Sequence, residues 1–308
     1  MKLLRDNNHF VFIGCYGNII YELISSEQIV TGSTNSRCKF SFAAMKKISS
    51  ILFVIVFCVS LPHNLFAWGK KGHGIVAEIA FALLDSNTKK AVYKYLELTT
   101  IDLGATTIEE ASTWMDEVRS DHKYDYMREW HYVNIEKGNQ YVETKEGNAI
   151  NALNNAITAL EHRDNLSNEE IKKNLMIIFH LTGDIHMPLH VGYGSDKGGN
   201  DIKVKYLSNP TNLHRVWDTE IIESENITAN DCLLTYNRFD KDEIAKFKEI
   251  NIENWIYEPR ALLGKVYNFP ADGVLDQAYA DKNKTIIKQQ LLIAGIRLAA
   301  VLEKLFQS

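Results

Sequence analysis

Four long stretches of the chain repeat apolar residues at intervals of three and four, which is the spacing of one buried face of an α-helix. They cover residues 73–84, 149–163, 169–186 and 284–306. Only DIKVKYL, residues 201–207, alternates apolar and polar side chains as a strand does. The stretches 192–201 and 208–212 are rich in Gly, Asn, Asp or Pro and are predicted to be loops. The sequence therefore predicts an all-α fold, a single mainly helical domain with a small β-hairpin near residues 201–207.

Residues 45–67 have the composition of a signal peptide. A Met-Lys-Lys start precedes a long apolar run, and PHNLFA follows, ending in the small residue Ala67. We expect cleavage between Ala67 and Trp68 and a secreted or periplasmic protein. The alternatives are a buried segment or a membrane anchor, although the apolar run is short for a bilayer span. Residues 1–44 are then an upstream extension from a start codon assigned too early, and residues 68–308 form one domain.

The charge of the predicted exported part limits what it can bind through its surface. After residue 67 the chain carries 28 Lys and Arg against 36 Asp and Glu. This balance excludes a broadly basic nucleic-acid-binding surface. An anionic substrate would need local positive charge, which bound cations supply. Of the four cysteines only Cys232 lies after residue 67, so we expect no internal disulfide.

The stretch FHLTGDIHMPLH, residues 179–190, contains three histidines and one aspartate. His180 and Asp184 are four residues apart, so on a helix they share one face and can reach a common metal ion. Gly and Pro interrupt the helical pattern before His190, which is therefore free to face a different ion. His186 lies off the face of the first pair and is interpreted as a residue that supports a ligand.

The same spacing of four recurs at His214 and Asp218 in NLHRVWD. Two further candidates lie close after a tryptophan: Asp116 is two residues after Trp114, and His131 directly follows Trp130. One such pair alone usually caps a helix or forms a surface ion pair. Several imidazole and carboxylate groups together, without thiolates, favour a catalytic zinc site.

The predicted cleavage point adds two more candidate ligands. If Trp68 is the first residue, its free amine and its own carbonyl oxygen can chelate a metal ion through a five-membered ring. His73 follows five residues later and is a third candidate for the same ion.

Six motifs occur in a fixed order after Trp68: GKKGHGIVAEIA, WMDEVR, WHYVNI, HLTGDIHMPLHVG, DKGGNDIKV and NLHRVWD. In this order they resemble the S1/P1 nuclease family, which consists of secreted zinc-dependent nucleases. Two later stretches, NWIYEPRALLGKVY and AGIRLAAVL, are similar to the last helices of that family. The resemblance therefore runs from Trp68 nearly to the C-terminus and marks residues 68–308 as an S1/P1 nuclease-like catalytic domain.

The resemblance implies a phospholipase C/P1 nuclease type of fold that holds three Zn²⁺ ions. By analogy, one ion is held by Asp116, His131, His180 and Asp184. A second is held by Trp68 and His73, with Asp184 as a bridge to the first. The third is held by His190, His214 and Asp218.

The implied activity is hydrolysis of single-stranded DNA and RNA to 5′-mononucleotides by a metal-activated hydroxide, together with 3′-nucleotidase activity. Arg119 occupies the position of a basic catalytic residue that contacts the phosphate. Tyr132 and Asn200 match positions that contact the base. Each of the three residues also has a purely structural interpretation: Arg119 as an exposed helix arginine, Tyr132 as a core ring and Asn200 as a turn former. Neither a stable protein partner nor a membrane is expected for the exported form.

Two rival functions remain at this stage. One is a zinc-dependent phospholipase C. Two features argue against it: the spacing from Trp68 to His73 is short, and Asp218 stands where phospholipases have Glu. The other is a non-catalytic zinc-binding exported protein, which gives no reason for Arg119 or Tyr132. A departure from the family at Asn134, where many members have Asp, affects base preference rather than metal binding.

Overall fold

A computed structural model describes residues 68–97, 107–144 and 147–307, together with two short strands near the N-terminus. The chain separates into two units, Met1–His63 and Asn64–Ser308. In the first unit, β1 (Arg5–Asp6) pairs antiparallel with β2 (His9–Phe10). The rest of the predicted upstream extension and the whole predicted signal peptide lie outside the described residues.

The second unit is built mainly from α-helices, as the sequence predicts. Its long helices are α1 (Lys70–Leu83), α2 (Ser86–Glu97), α3 (Ile108–Glu117), α4 (Ala149–Glu161), α5 (Asn168–Asp184) and α6 (Gln277–Phe306). Helix α1 packs against α6 and α3, and α5 packs against α4 and α3. The core therefore lies between α1, α5 and α6.

Short helical segments connect the long helices. The 3₁₀ segments are Val118–Ser120, His122–His131, Arg163–Asn165, Gly194–Asp196 and Tyr236–Arg238. A continuous run consists of Leu213–Arg215, the π-helical Val216–Glu220 and Ile221–Ser224. The remaining short helices are Ala229–Leu233, Lys241–Phe247, Ile252–Trp255, Tyr257–Ala261 and Leu263–Val266.

Side-chain caps fix where the site-bearing helices begin. At α3 the Thr107 hydroxyl accepts the backbone N–H of Glu110, and the Glu110 carboxylate accepts that of Thr107. Ser167 and Glu170 form the same reciprocal pair at α5. Such a capping box satisfies N–H groups that have no partner within the helix. The starts of α3 and α5, and thus the positions of Asp116 and His180 along them, are set by local sequence.

Helix α6 is long and apolar enough to cross a membrane by length and composition, but 78% of its most apolar window is buried inside the protein. That burial is the pattern of a core helix. Gly295 allows α1 to pack closely, because a Cβ there would lie 2.3 Å from Cγ2 of Ile79. The predicted helix 284–306 is confirmed and begins seven residues earlier, at Gln277.

The predicted hairpin is present, and one part of its prediction is wrong. Strand β3 (Lys203–Tyr206) lies within the predicted stretch, but 209–212, predicted to be a loop, forms the antiparallel strand β4 (Asn209–Asn212). A third strand, β5 (Val274–Leu275), pairs in parallel with β3. The resulting order β4-β3-β5 places β4 at an edge, where Pro210 costs no ladder hydrogen bond.

Candidate active site

The end of α5 brings His180 and Asp184 together in the interior. Both are fully buried, and Nε2 of His180 lies 3.2 Å from Oδ2 of Asp184. The other ring nitrogen of His180, Nδ1, is 2.8 Å from the carbonyl oxygen of Ser112 and donates to it. A histidine that donates one N–H to a carbonyl presents its second nitrogen with a fixed orientation, as metal-binding histidines do.

Two residues from other segments reach the same place. Nδ1 of His131 lies 3.2 Å from Oδ2 of Asp184 and 2.9 Å from Nε2 of His180. Oδ1 of Asp116 lies 3.8 Å from Nδ1 of His131 and 3.9 Å from Nε2 of His180. The structure thus brings together all four residues assigned by resemblance to one ion.

His73 approaches from α1 on the other side of the Asp184 carboxylate. Its Nε2 lies 3.3 Å from Oδ1 of Asp184, and its ring stacks on His180 with centroids 4.0 Å apart. Gly183 makes this possible, because a Cβ there would lie 2.7 Å from Nδ1 of His73 and 3.6 Å from Cδ1 of Trp68. Trp68, fully buried, therefore lies beside His73 and the end of α5.

A third group joins His190, His214 and Asp218. The Nε2 atoms of the two histidines are 3.2 Å apart. Nδ1 of His190 donates to the backbone carbonyl of His131 at 2.7 Å, and Nδ1 of His214 donates to that of Gly198 at 2.8 Å. One carboxylate oxygen of Asp218 comes close enough to both rings for the three to share an ion. Burial raises the pKa of Asp218 well above its usual range.

Asp218 lies on the π-helical segment Val216–Glu220, directly after the helical turn that carries His214. Isolated π turns are frequent at functional sites. The same segment fixes the start of α1, because its Asp218 carbonyl accepts the N–H of Gly69 at 2.9 Å. The third group and the segment that follows Trp68 are therefore joined by a backbone hydrogen bond.

The surroundings shift the pKa values of the buried histidines in opposite directions. Burial, followed by repulsion from His180, lowers the pKa of His73 to about 3. Burial and the neighbouring His190 lower the pKa of His214 to about 3. Burial also acts to lower the pKa of His180, but the carboxylates of Asp184 and Asp116 outweigh it and raise that pKa to about 9.

These residues fit a divalent metal such as zinc. Buried polar atoms ordinarily have hydrogen-bond partners. Several atoms at the candidate positions have none, namely Nδ1 and Nε2 of His73 and Oδ1 of Asp116, Asp184 and Asp218. The described residues include three groups of His and Asp that could each hold an ion, two of which share His180. Imidazole with carboxylate is a donor set that zinc accepts.

A pocket of about 230 Å³ opens beside the metal-ligand candidates His131, His190 and His214, which contribute to its wall. Arg119, Tyr132 and Asn200 line the same pocket. The three predicted non-metal site residues therefore share one cavity with the predicted ligands.

Arg119, Tyr132 and Asn200 are held in different ways. Nη1 of Arg119 lies 3.7 Å from Oδ1 of Asp116, and its side chain is 36% exposed. The hydroxyl of the half-buried Tyr132 donates to the Glu129 carboxylate. Nδ2 of Asn200 donates to the carbonyl of Lys197 at 2.8 Å, while its Oδ1 is buried without a partner. None of the three is simply a core residue or a free surface residue.

Sequence reasoning missed Lys197, which also lines the pocket. Its backbone is left-handed, with φ of 54°, which is uncommon for a residue other than glycine. The ammonium group is largely exposed and lies 3.2 Å from a carboxylate oxygen of Asp201. The DKGGND motif contains the signal for this residue, since a lysine in a glycine-rich loop can approach a phosphate.

The segments that carry His131 and His190 are joined side by side. Backbone N–H groups of Val133 and Ile135 donate to the carbonyls of His190 at 2.8 Å and Gly192 at 3.1 Å. The guanidinium of Arg260 bridges the same two segments, donating to Ile135 at 2.9 Å and to Gly192 at 3.3 Å. Arg260 belongs to the NWIYEPRALLGKVY stretch and was not assigned a role from sequence.

His186 contacts no candidate ligand through its ring nitrogens. Its Nδ1 donates to the Thr182 carbonyl at 2.6 Å, and its Nε2 accepts from Arg297 at 2.6 Å. Arg297 also binds Glu258 at 3.0 Å and lies over the Trp255 ring at 5.2 Å. His186 therefore connects α5 to α6 rather than supporting a ligand directly, which corrects its predicted role.

A sequence profile described as S1/P1 Nuclease matches residues 68–307. The chain belongs to this family. The match begins at Trp68 and covers every candidate ligand. Family membership supports a nuclease, a hydrolase acting on phosphodiester bonds.

Similar proteins of known name are nucleases of plants and fungi. Endonuclease 2 of Arabidopsis thaliana is 29% identical over 286 residues, covering 83% of this chain and 96% of the relative. Endonuclease 4 of the same plant is 28% identical over 292 residues, covering 82% and 94%. Nuclease S1 of Aspergillus oryzae is 25% identical over 276 residues, covering 80% and 94%.

Proposed function

We propose that this chain is an exported zinc-dependent nuclease that hydrolyses single-stranded DNA and RNA to 5′-mononucleotides and removes the phosphate from 3′-nucleotides. The observation that carries the proposal is the shared wall between the His and Asp groups and the pocket that contains Arg119, Tyr132 and Asn200. A phosphate bound at the His and Asp groups and a base bound beside Arg119, Tyr132 and Asn200 would then belong to the same nucleotide.

We assign three zinc ions to the site. The first would be held by Asp116, His131, His180 and Asp184, the second by Trp68, His73 and Asp184, and the third by His190, His214 and Asp218. Zinc bound in such sites lowers the pKa of a coordinated water toward neutrality and offsets the negative charge of a phosphoryl group. This local positive charge compensates for the acidic composition of the domain.

The chain's own residues orient the nucleotide. The Arg119 guanidinium can donate two parallel hydrogen bonds to phosphate oxygens, and the nearby Asp116 carboxylate limits the directions it can take. The Tyr132 ring, fixed through its hydroxyl, offers a surface on which one base can stack. A base paired within a duplex cannot lie flat on that ring, so we expect a preference for single strands.

Export is part of the proposal because it creates the N-terminal ligand. Cleavage between Ala67 and Trp68 would free the amino group of Trp68 beside His73. The family match beginning at Trp68 and the burial of this side chain support this position for the mature N-terminus.

The direct test uses protein expressed from the full chain and exported by its host. Denatured DNA, RNA, duplex DNA, a 3′-mononucleotide and phosphatidylcholine are offered separately, and the products are identified by mass. We expect 5′-mononucleotides from the single strands, phosphate from the 3′-mononucleotide, and much slower duplex cleavage. His214→Ala should abolish these reactions, whereas His122→Ala, which removes an exposed histidine, should not.

Hydrolysis of phosphatidylcholine with intact nucleic acid would instead assign a phospholipase C-like phosphodiesterase. Bound zinc without hydrolysis of any of these substrates would assign a metal-binding exported protein. Either result would contradict the nuclease proposal.

A further inference from the structure

A second pocket, of about 200 Å³, adjoins the pocket at the metal-ligand candidates. The two cavities share Tyr132 and Asn134 as common wall residues. Each cavity is smaller than the roughly 300–1,000 Å³ typical of pockets that bury a drug-sized ligand. The two cavities therefore lie side by side, with Tyr132 in the wall of both.

The charged residues of the two cavities are opposite in sign. The first is lined by Arg119 and Lys197, whereas the described lining of the second contains Glu129 and no lysine or arginine. A phosphate is therefore favoured in the first cavity and disfavoured in the second. The second cavity suits an uncharged part of a nucleic acid that can donate hydrogen bonds.

The walls of the second cavity are already ordered for a flat ring. Nδ2 of the buried Asn148 donates to the Tyr141 hydroxyl at 3.1 Å, which fixes the Tyr141 side chain. Oδ1 of Asn148 caps α4 by accepting the N–H of Ile150 at 2.9 Å. Tyr132 is fixed in turn through Glu129. Two anchored tyrosines provide stacking surfaces whose side-chain entropy has already been lost.

Glu129 provides a carboxylate in the second cavity that can distinguish one base from another. A carboxylate only accepts hydrogen bonds and has about four acceptor positions, so the bond from Tyr132 leaves capacity for a ligand. Cytosine presents an exocyclic amino group that a glutamate accepts well. Uracil has a carbonyl oxygen in its place, which a carboxylate repels. Adenine and guanine, like cytosine, have amino groups.

We propose that the second cavity binds the base of the nucleotide adjacent to the one in the first cavity. There, Glu129 selects bases with an exocyclic amino group over uracil and thymine. This inference rests on the proposed nuclease function. It adds a base-selecting subsite formed by Glu129, Tyr132 and Tyr141.

The experiment uses the exported, metal-loaded protein and pairs of short RNA oligonucleotides. The nucleotide that precedes the cleaved bond is the same in all substrates. Within each pair, one of its two neighbours, either the 5′ or the 3′ neighbour, is cytidine in one member and uridine in the other. We expect kcat/KM to be roughly tenfold higher for cytidine at one of these two positions, which corresponds to one charge-assisted hydrogen bond.

Glu129→Gln is the informative variant because its amide oxygen still accepts the Tyr132 hydroxyl while the charge is lost. It should reduce the cytidine-to-uridine ratio to about one. Glu143→Gln is the matched control, because Glu143 is an exposed glutamate of the neighbouring segment that bonds Asn151 at 2.7 Å. Its ratio should equal that of the unchanged protein.

Three results would overturn the subsite. Equal kcat/KM for cytidine and uridine at both positions in the unchanged protein would show no selection. An unchanged ratio in Glu129→Gln, with all substrates slowed equally, would show that Glu129 acts only through Tyr132. A loss of the ratio in both glutamine variants would remove the assignment to Glu129. Hydrolysis of a 3′-mononucleotide by the unchanged protein tests the nuclease function separately, since this substrate has no adjacent base.

Discussion

Nε2 of His73 lies 3.3 Å from Oδ1 of Asp184, whose other oxygen, Oδ2, lies 3.2 Å from Nε2 of His180. One carboxylate thus faces histidines from two different helices with its two different oxygens. This is the arrangement required of a ligand that bridges two ions, whereas His214 belongs to a separate group.

The bridging arrangement predicts unequal metal losses. Asp184→Asn should deplete two zinc ions per chain, because its carboxylate serves two of the assigned sites, and His214→Ala should deplete one. Metal analysis after dialysis measures both. Asp201→Asn, which changes an exposed loop carboxylate, should retain the full complement. Equal losses in the first two variants would contradict the bridging role of Asp184.

Gly183 is predicted to be essential for the position of His73. In Gly183→Ala the added methyl would lie 2.7 Å from Nδ1 of His73, so the ring must shift from its present position beside Asp184. We expect roughly 1–3 kcal/mol of destabilisation from overpacking and a weakened second metal site. Gly264→Ala is the control, since a Cβ there meets nothing within 4 Å. Thermal unfolding and zinc content that match in the two variants would refute this explanation.

Arg119 is predicted to act on the reacting phosphate. Arg119→Ala should lower kcat on a 3′-mononucleotide by roughly 10²–10³, the usual effect of removing one donor to a developing charge. Arg119→Lys should recover little of this, because a lysine cannot form two parallel bonds. Arg128→Lys, at an exposed arginine paired with Asp125, is the control. A change in kcat below threefold for Arg119→Ala would make this residue structural.

The free amine at Trp68 is predicted to be a zinc ligand. A protein that begins with Met followed by Trp68, with the methionine retained, has an amide at that nitrogen and should lose zinc and activity. The comparison is with the protein that begins at Trp68, using metal analysis and 3′-nucleotide hydrolysis. Full zinc content and activity in the extended protein would remove the N-terminal ligand from the account.

Much of the helical framework, and the pairing of ligand candidates on one helix, could be predicted because both depend on local spacing. The apolar period identifies α5, and four-residue spacing on that helix places His180 beside Asp184. Strand β4 could not be predicted in the same way. Its residues favour turns, and its pairing with β3 depends on the left-handed backbone of Leu207 and Ser208 between them.

Other parts of the site depend on contacts between distant segments. The carbonyl of His131 fixes the His190 ring across 59 positions of sequence, and no periodicity reveals this bond. His186 contacts Arg297, 111 positions away, which explains why its role was mistaken. The cavity behind Tyr132 requires Tyr141 and Asn148 to meet at the start of α4, a relationship set by folding rather than by a motif.

The most direct test of the central claim is a zinc titration of the exported protein after complete chelation. The rate of 5′-mononucleotide release from denatured DNA is measured as zinc is added back stepwise. We predict no release without metal, and recovery that is completed only as the third equivalent per chain binds. Undiminished release from metal-free protein, or saturation with three zinc ions and no release, would contradict this prediction.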